Sequence, residues 1–542
     1  MQKNLILIPS LALASVAAYG QKKAKNVNAP APGEYNVVLI ISDQMSARIL
    51  PLYGNNTIET PNIDRLAREG VTFDNSICAV PFSSPTRSSF VTGLYPIATT
   101  IITNVEPGKG NGPLDVNMPI TESILFDKGY LTGHFGKWHL GPINTWACYA
   151  DKKYARDIYD RSYFGGFAEK RAAMHPTPAP ARKGEALTNA KTDQGFGLYQ
   201  TQYAHDKFKN GPAEMKKLLG TYGRLGTPAE MFDWTCAAKD GTDFIKANKE
   251  RRFMLTVSLG PPHPDYVAPD PWYSNVDPSN ITLPPSSYIH PERYRNNLNY
   301  LTGQYLGEEG TKEKMRCYYA QTLFIDDMVG RILNTLDETG LADNTIVVFI
   351  SDHGDPLSTQ GMLYGKTIED FLEEQLRVPT LMRLPGVIPA GKRIKASFSS
   401  VDLAPTMRDY LGINTIPTQG RSFRGIIDGK EKDEIGFAVC QRMEARSIRG
   451  EVDGKIYIYN KMFNTKGKNK TYYEQLWNIT DDPYQMVDLI DNSKYDAVKK
   501  RLKAEYNKYA DKNGDRRIED LPGKGLVTWG NFRNVEPSKP QR

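Results

Sequence analysis

Three apolar runs and one short mixed segment predict the central strands of a sheet that is covered on both faces. They comprise Asn36–Ser42, Leu131–Phe135, Arg252–Leu259 and Thr345–Ser351. Strands buried on both faces have continuous apolar sequences, whereas half-exposed strands alternate apolar and polar positions. Helical patterns separate the runs, at 61–70, 121–129, 232–249 and 314–336. This alternation is typical of parallel strands joined by right-handed crossovers. We therefore predict an α/β fold whose large, mostly parallel central sheet is sandwiched between helices.

Two later regions have a different pattern. Residues from about 142 to 229 show no regular period, which predicts an irregular insertion. From about residue 420, short alternating runs are separated by Gly and Asn turns, and a charged helical pattern covers 495–509. This pattern predicts a smaller C-terminal subdomain of antiparallel sheet plus helix. The predicted organisation is a main α/β domain at 34–418, a subdomain at 419–522 and a tail at 523–542.

The first 20 residues have the pattern of a signal peptide. Lys3 precedes the apolar run Leu5–Ala18, and small residues lead to a cleavage site near Gly20. The first cysteine is Cys78, so we expect no lipid attachment close to that site. We predict a secreted or periplasmic protein without a membrane anchor, because no later run is long and apolar enough to span a bilayer.

Composition narrows the class of protein. Hydrophobic residues make up 40% of the chain and charged residues 24%, as is usual for globular proteins. The length of 542 residues is too great for a single simple core. Its net charge of +6 suits an anionic ligand, and we expect no nucleic-acid partner. The five cysteines are scattered and lack zinc-site spacing, which leaves open whether any of them pair.

Polar residues with catalytic potential follow the ends of the apolar runs. Asp43 follows the first run, Lys137 and His139 the second, His263 the third and Asp352 the fourth. Ligands bind beyond the carboxyl ends of parallel strands, which meet at one edge of the sheet. The sequence therefore predicts a site at which these five side chains converge.

A cation is expected within this site. Asp43 and Asp352 follow matching strand ends, and carboxylates brought together need a positive charge to offset their repulsion. Gln44, His353 and an oxygen from Ser83 would complete the ligand set. Mostly oxygen ligands favour Ca²⁺, with Mg²⁺ second, over Zn²⁺. The alternative is structural, because a Ser-Asp pair after a strand also occurs in turns and helix caps.

The segment from Ser83 to Arg87 combines hydroxyl groups with a guanidinium at a predicted helix start. Pro85 suits the first helical position, with Ser83 or Ser84 as the cap. The pattern Ser83-x-Pro85-x-Arg87 resembles the signature of type I, formylglycine-dependent sulfatases of the alkaline phosphatase-like superfamily. The serine in the first position resembles the branch found in Bacteroides-like secreted polysaccharide sulfatases. The family usually has Ser or Ala at the position of Thr86.

Three further segments resemble that family, in the family's order: Gly136–Gly141, Pro261–Pro264 and Gly365–Lys366 with Glu373–Pro379. The resemblance implies that Lys137 and Lys366 bind the sulfate group. It implies that His263 contacts sulfate and protonates the leaving oxygen. His139 would remove the proton that leads to sulfate release, and histidine suits both tasks because its ordinary pKa is about 6.5.

The resemblance also implies the activity. It implies a sulfatase that hydrolyses sulfate esters on sulfated saccharides, with a formylglycine made from Ser83 by a radical-type maturing enzyme. A divalent cation and Arg87 would stabilise one oxygen of the nucleophile. The family usually has Asp-Asp where this chain has Asp43-Gln44, so direct ligation by Gln44 stays open. Two alternatives remain: a phosphodiesterase or phosphonate hydrolase of the same superfamily, and an inactive protein that binds sulfated glycans.

Overall fold

A computed structural model describes residues 34–106, 112–149, 151, 153–157, 180–188, 197–363, 365–366, 370–443, 445–464 and 471–521. The strands, β1 to β18 in chain order, are Asn36–Ser42, Val71–Phe73, Ser76–Ile77, Leu131–Gly136, Ala155–Asp157, Glu185–Thr188, Leu198–Thr201, Tyr222–Leu225, Phe253–Leu259, Tyr266–Pro269, Thr345–Ser351, Thr380–Arg383, Lys392–Ile394, Phe398–Ser399, Phe437–Arg442, Ala445–Val452, Lys455–Asn464 and Thr471–Asn478. The helices, α1 to α12, are Pro61–Glu69, Ser83–Thr92, Pro96–Thr99, Thr121–Asp127, Gln202–Asn210, Lys216–Leu219, Asp233–Ala247, Leu298–Glu338, Glu373–Leu376, Leu403–Tyr410, Arg424–Ile427 and Asp496–Asn513. The predicted signal peptide and tail lie outside the described residues.

The main sheet has eight strands in the described chain, in the order β13-β2-β12-β11-β1-β9-β4-β5. Every neighbouring pair is parallel except the two pairs that β12 makes, so β12 alone runs against the others. The four predicted central strands lie side by side as β11, β1, β9 and β4. The predicted α/β fold with a large, mostly parallel sheet is therefore confirmed.

Both faces of this sheet are covered, as uninterrupted apolar strands require. Along β1, Val38 and Ile40 belong to one core cluster, which includes the long helix α8. Val37 and Leu39 belong to a second cluster on the opposite face. Since alternate side chains of a strand point to opposite faces, β1 needs apolar residues at every position.

Helix α8 begins earlier than the sequence pattern predicts. The prediction was 314–336, whereas the structure has Leu298–Glu338 with non-helical backbone at Gly307, where φ is 65°. Three glycines at 303, 307 and 310, together with the acidic pair at 308 and 309, obscure the apolar period in the first part of this helix. Glycine at 307 permits the kink, because a residue without Cβ adopts positive φ readily.

The described part of the insertion contains regular structure where an irregular segment was predicted. Strands β6, β7 and β8 form a sheet with β10, in the order β10-β8-β7-β6. Buried positions in these strands include Gln200 and Arg224, and Arg224 pairs with Glu185 at 2.6 Å. Because polar side chains occupy interior positions here, the short strands carry no recognisable alternation.

A separate antiparallel sheet, β15-β16-β17-β18, forms the C-terminal part of the described chain. Its core side chains, including Ile448 and Tyr459, cluster with Leu502 and Tyr506 of α12. This arrangement confirms the predicted antiparallel sheet plus helix. In the described residues, no helix combines the length and hydrophobicity needed to cross a membrane.

A buried ion pair in this subdomain gives a test of its packing. Arg446 contacts Asp515 at 2.8 and 2.9 Å with both side chains almost fully buried. We expect Arg446→Leu to lower the free energy of unfolding by about 3–5 kcal/mol, because Asp515 is left charged and buried. The control Arg517→Leu breaks an exposed pair with Asp511, and we expect a much smaller loss, because water and salt screen that pair. Urea unfolding followed by circular dichroism measures both, and equal losses would contradict the assignment.

Candidate active site

The sheet brings the predicted residues to one edge. Strands β1 and β11 pair in register from Asn36–Thr345 to Ser42–Ser351, so Asp43 and Asp352 leave the sheet side by side. Gly136 of β4 pairs with Ser258 of β9, and Lys137 follows it. A Cβ at position 136 would meet the Ser258 carbonyl oxygen, and φ there is 105°. Only glycine fits this close approach, which fixes where Lys137 emerges.

Ser83 lies at the centre of the site and is fully buried. Its Oγ is 3.2 Å from Lys137 Nζ, 3.2 Å from Lys366 Nζ and 3.2 Å from His353 Nε2. It also donates to Asp43 Oδ1 at 3.4 Å. Five sequence-distant segments therefore meet at one hydroxyl oxygen, with two ammonium groups on it.

The helix that carries Ser83 begins two residues before the predicted first helical position. Its cap residue is Phe82, which makes Ser83 the first helical residue and puts Pro85 in the third position. Proline is tolerated there because the first-turn N–H groups have no partner within the helix. The prediction that Ser83 or Ser84 caps the helix was therefore wrong. The Ser84 hydroxyl donates instead to the His139 carbonyl at 2.7 Å.

Two buried carboxylates and two cationic side chains form the floor of the site. Lys137 Nζ forms an ion pair with Asp43. Arg87 Nε donates to Asp352 Oδ2 at 2.9 Å, and its Nη1 donates to Ser258 Oγ at 2.7 Å. Burial by itself would raise the pKa of Asp43, but Lys137, His263 and Arg87 outweigh it and hold that pKa well below its usual range.

Asp43, Asp352 and His353 form a group that could hold a metal ion, with candidate ligand atoms all within 4.8 Å of one another. His353 Nε2 is 3.7 Å from Asp43 Oδ1 and 3.8 Å from Asp352 Oδ1. The other ring nitrogen, Nδ1, is 2.9 Å from the Gly354 carbonyl oxygen. A proton on Nδ1 leaves the Nε2 lone pair directed at the carboxylates. Burial lowers the pKa of His353 to about 4, so the ring is neutral, as a ligand must be.

Gln44 also suits this group, which could not be judged from the sequence alone. Its amide Nε2 donates to Asp355 Oδ2 at 2.5 Å and lies 3.3 Å from the Tyr266 hydroxyl. With the nitrogen held on that side, the carbonyl oxygen is the atom that the side chain can offer to a cation. Asp355 is buried and also accepts from the Tyr266 hydroxyl at 2.7 Å. An aspartate in place of Gln44 would put a second carboxylate, which only accepts hydrogen bonds, next to Asp355. The amide of Gln44 instead donates to Asp355, so the two residues fit as a pair.

Lys366 and the two predicted catalytic histidines line the same edge. Burial and the charge of Lys137 lower the pKa of Lys366 to about 8. His139 has a positive φ of 61°, and burial with Lys137 and Arg87 lowers the pKa of its ring. His263 is half-buried, and its Nδ1 lies 2.5 Å from the Pro264 carbonyl oxygen. Burial lowers the pKa of His263 to about 3, and Lys137 acts in the same direction.

The histidines without a predicted role lie elsewhere. His134 is buried in β4, with its ring 5.4 Å from that of Trp138. His290 Nδ1 is 2.7 Å from the Tyr300 hydroxyl. His205 packs against Phe208 on α5. His175 lies outside the described residues.

Two protein-family models match this chain. A family model described as "Sulfatase" matches residues 35–413, and one described as "N-sulphoglucosamine sulphohydrolase, C-terminal" matches residues 368–512. The first covers the main sheet and every predicted site residue. The second covers the C-terminal sheet and most of its helix.

Relatives and solved structures agree on the fold. The chain is 25% identical to an ulvan-active sulfatase of Formosa agariphila, over 89% of this chain and 82% of the relative. It is 25% identical to an N-acetylglucosamine-6-O-sulfatase of Bacteroides thetaiotaomicron, over 78% and 76%. A structure solved with D-glucosamine-2-N,6-O-disulfate, its substrate, covers 89% of this chain and 99% of its own at 18% identity, with a TM-score of 0.61. A phosphonate monoester hydrolase of Agrobacterium radiobacter covers 91% and 99% at 20% identity, with a TM-score of 0.66.

The pairing of Gln44 with Asp355 gives a prediction about cation binding. We expect Asp355→Asn to weaken binding of a divalent cation, tested with Ca²⁺, by about 10–100-fold. Asp355 accepts from Gln44 Nε2 and from the Leu357 N–H through different oxygens, and an amide keeps only one acceptor oxygen. Calcium titration by calorimetry measures this, after the wild-type affinity has been established. Asp402→Asn is the control, since Asp402 is also buried and accepts backbone N–H groups from Ser399 and Arg421. Equal Ca²⁺ affinity in the wild type and Asp355→Asn would contradict the role given to Asp355.

Proposed function

The chain belongs to the sulfatase family and is a sulfuric ester hydrolase, and from that premise we propose that it hydrolyses sulfate esters of saccharides with a formylglycine made from Ser83. The observation that carries the proposal is the position of the Ser83 hydroxyl. Two ammonium groups and an imidazole lie 3.2 Å from it. A nucleophile there would meet an anionic group already bound to cations.

We propose Ca²⁺ as the resident cation, held by Asp43, Gln44, Asp352, His353 and the oxygen at Ser83. The donor set supports this choice, because oxygen atoms outnumber the single imidazole nitrogen. A bound divalent cation supplies positive charge next to the nucleophile. Once oxidised, the Ser83 side chain supplies a hydrated aldehyde as that nucleophile.

The remaining side chains bind charge and move protons. Lys137 and Lys366 hold the sulfate group and spread the charge of the transferring sulfuryl group, as cationic side chains do in phosphoryl transfer. Arg87 is fixed by Asp352 and Ser258, which keeps its guanidinium next to the nucleophile. The negative charge of a bound sulfate ester would offset Lys137 and Lys366 and favour a protonated His263, which then donates its proton to the leaving sugar oxygen. His139 accepts the proton whose removal leads to sulfate release.

The names of the relatives support a sulfated saccharide as substrate. One is an ulvan-active sulfatase, another acts on N-acetylglucosamine 6-O-sulfate, and one structural neighbour was solved with a disulfated glucosamine as its substrate. We propose further that the chain is exported after signal-peptide cleavage near Gly20. A radical-type maturing enzyme would oxidise Ser83.

Oxidation of Ser83 predicts a mass change. The tryptic peptide that contains Ser83 should be about 2 Da lighter than its sequence mass in protein made with the maturing enzyme, because oxidation to the aldehyde removes two hydrogens. Ser83→Ala should lose turnover and stay folded. Ser89→Ala should stay active, since the Ser89 hydroxyl lies on the same helix and, within the described part of the chain, bonds only the Pro85 carbonyl. Full turnover by Ser83→Ala would overturn the proposal.

The same preparation separates the alternatives. An active phosphonate hydrolase would cleave 4-nitrophenyl phenylphosphonate faster than 4-nitrophenyl sulfate. A glycan-binding protein without activity would show unmodified Ser83 and no turnover of either ester.

The two histidines should respond differently to the leaving group. General-acid help matters most when the leaving alcohol is a poor one. His263→Ala should therefore lose far more activity on a sugar sulfate than on 4-nitrophenyl sulfate, by a factor of about 100 or more. His139→Ala should lose activity on both substrates alike. Steady-state kinetics on the two substrates measures this, and the same ratio of losses in both variants would contradict the division of roles.

A further inference from the structure

A second cationic cavity lies between the main domain and the C-terminal sheet. It has a volume of about 410 Å³ and shares no lining residue with the site around Ser83. Four arginines line it, at positions 48, 377, 393 and 449. They come from four separate segments of the chain. The lining also includes the carboxylates Asp74 and Glu373 and, from the C-terminal part, Ile456 and Ile479.

Two of these arginines are held firmly by buried carboxylates. Arg449 donates to both oxygens of Glu373, at 2.8 and 2.9 Å, with both side chains buried. Arg48 contacts Glu374 at 3.0 Å and lies 4.4 Å from the centre of the Tyr484 ring. Side chains fixed in this way lose little further freedom when a ligand binds.

The other two have more freedom. Arg393 pairs with Asp74 at the rim and is half exposed. Arg377 lies over the Tyr53 ring at 5.2 Å, and its Nε donates to the Asp74 carbonyl at 2.8 Å.

Donors remain unused inside this cavity. Arg449 Nη1 is buried and has no hydrogen-bond partner among the described residues. Among the described residues, the Arg377 guanidinium donates one hydrogen bond, from Nε to the Asp74 carbonyl oxygen, and the side chain lines the cavity. Burial lowers the pKa of Arg377, and the charges of Arg449 and Arg48 lower it further, although Glu373 acts against them. Four arginines meet three carboxylates here, those of Asp74, Glu373 and Glu374, which leaves a net positive charge.

We propose that this cavity is a second oxyanion site, which binds a sulfate group through Arg377 and Arg449. Guanidinium groups bind tetrahedral oxyanions with paired, charge-assisted hydrogen bonds, and these two residues offer the unused donors. The same chemistry suits two sources of the ligand, inorganic sulfate released at the active site and a sulfate group on a glycan chain. The volume accommodates either the free ion or a sulfated sugar unit, since ligand pockets begin at about 300 Å³.

Localisation is the first test. Crystals of the mature wild-type protein are soaked in selenate, which replaces sulfate and scatters anomalously. The expected result is a selenium peak between Arg377 and Arg449, separate from any peak near Ser83. Selenate at Ser83 with none between the arginines would overturn the proposal and leave a structural arginine network.

Binding stoichiometry is the second test. Equilibrium dialysis with labelled sulfate should give one site fewer in Arg377→Gln than in the wild type, or a loss of affinity at that site of about tenfold or more. Arg65→Gln is the matched control, because Arg65 is also partly buried and paired with acids but lies outside the cavity. Arg377→Lys is a second variant if Arg377→Gln folds poorly, and it should weaken the same site, because lysine keeps the charge but lacks the paired donors of the guanidinium. Unchanged stoichiometry and affinity in both cavity variants would overturn the proposal.

A third soak identifies the source of the ligand. Selenate-soaked crystals are transferred to a chondroitin 4-sulfate disaccharide, and in parallel to inorganic sulfate at the same concentration. Loss of the selenium peak in both soaks, with electron density for the sugar in the disaccharide soak, assigns the site to a glycan sulfate. Loss only with inorganic sulfate assigns it to the product. Retention of the peak in both soaks would overturn a sulfate-binding role.

Discussion

The burial of two carboxylates at one sheet edge is the constraint on which the rest of the site depends. Asp43 and Asp352 are fully shielded from water, and a buried charge without a partner is strongly destabilising. Their partners are Lys137 and Arg87, which come from other segments. The strand order β11-β1-β9-β4 brings Lys137 to Asp43, and the position of α2 brings Arg87 to Asp352. Any change that separates these segments would leave a carboxylate uncompensated.

Hydrogen bonds to uncharged groups then hold these charged side chains and their neighbours in place. Ser258 fixes Arg87, and the Ser84 hydroxyl holds the His139 backbone. Gln44 and His139 have φ angles of 67° and 61°, a region that non-glycine residues seldom occupy. Such strain persists only where surrounding contacts over-determine it. Tyr318 provides one of these contacts, because its hydroxyl donates to the backbone carbonyl oxygen of Gln44 at 2.6 Å.

The sequence predicted those features that depend on a repeating pattern. The central strands were found because burial on both faces requires continuous apolar residues, and the convergence of Asp43 with Asp352 follows from parallel strand ends. The start of α2 was wrong because a serine-rich segment offers several equivalent caps, and tertiary contacts decide among them. The pairing of Gln44 with Asp355 could not be predicted, since it joins residues 311 positions apart. Nothing local to either residue encodes that contact.

The C-terminal subdomain is part of the support for the active site rather than an appendage. Gly365, which precedes Lys366, is held at its carbonyl by Gln375 at 3.3 Å. That glutamine lies on the short helix Glu373–Leu376, whose first residue is bound at its N–H by Gln485 and at its carboxylate by Arg449. A four-residue helix has little stability by itself, because nucleation is unfavourable and few bonds follow. The position of the Lys366 ammonium therefore depends on the antiparallel sheet, although no residue of that sheet contacts Ser83 in the described part of the chain.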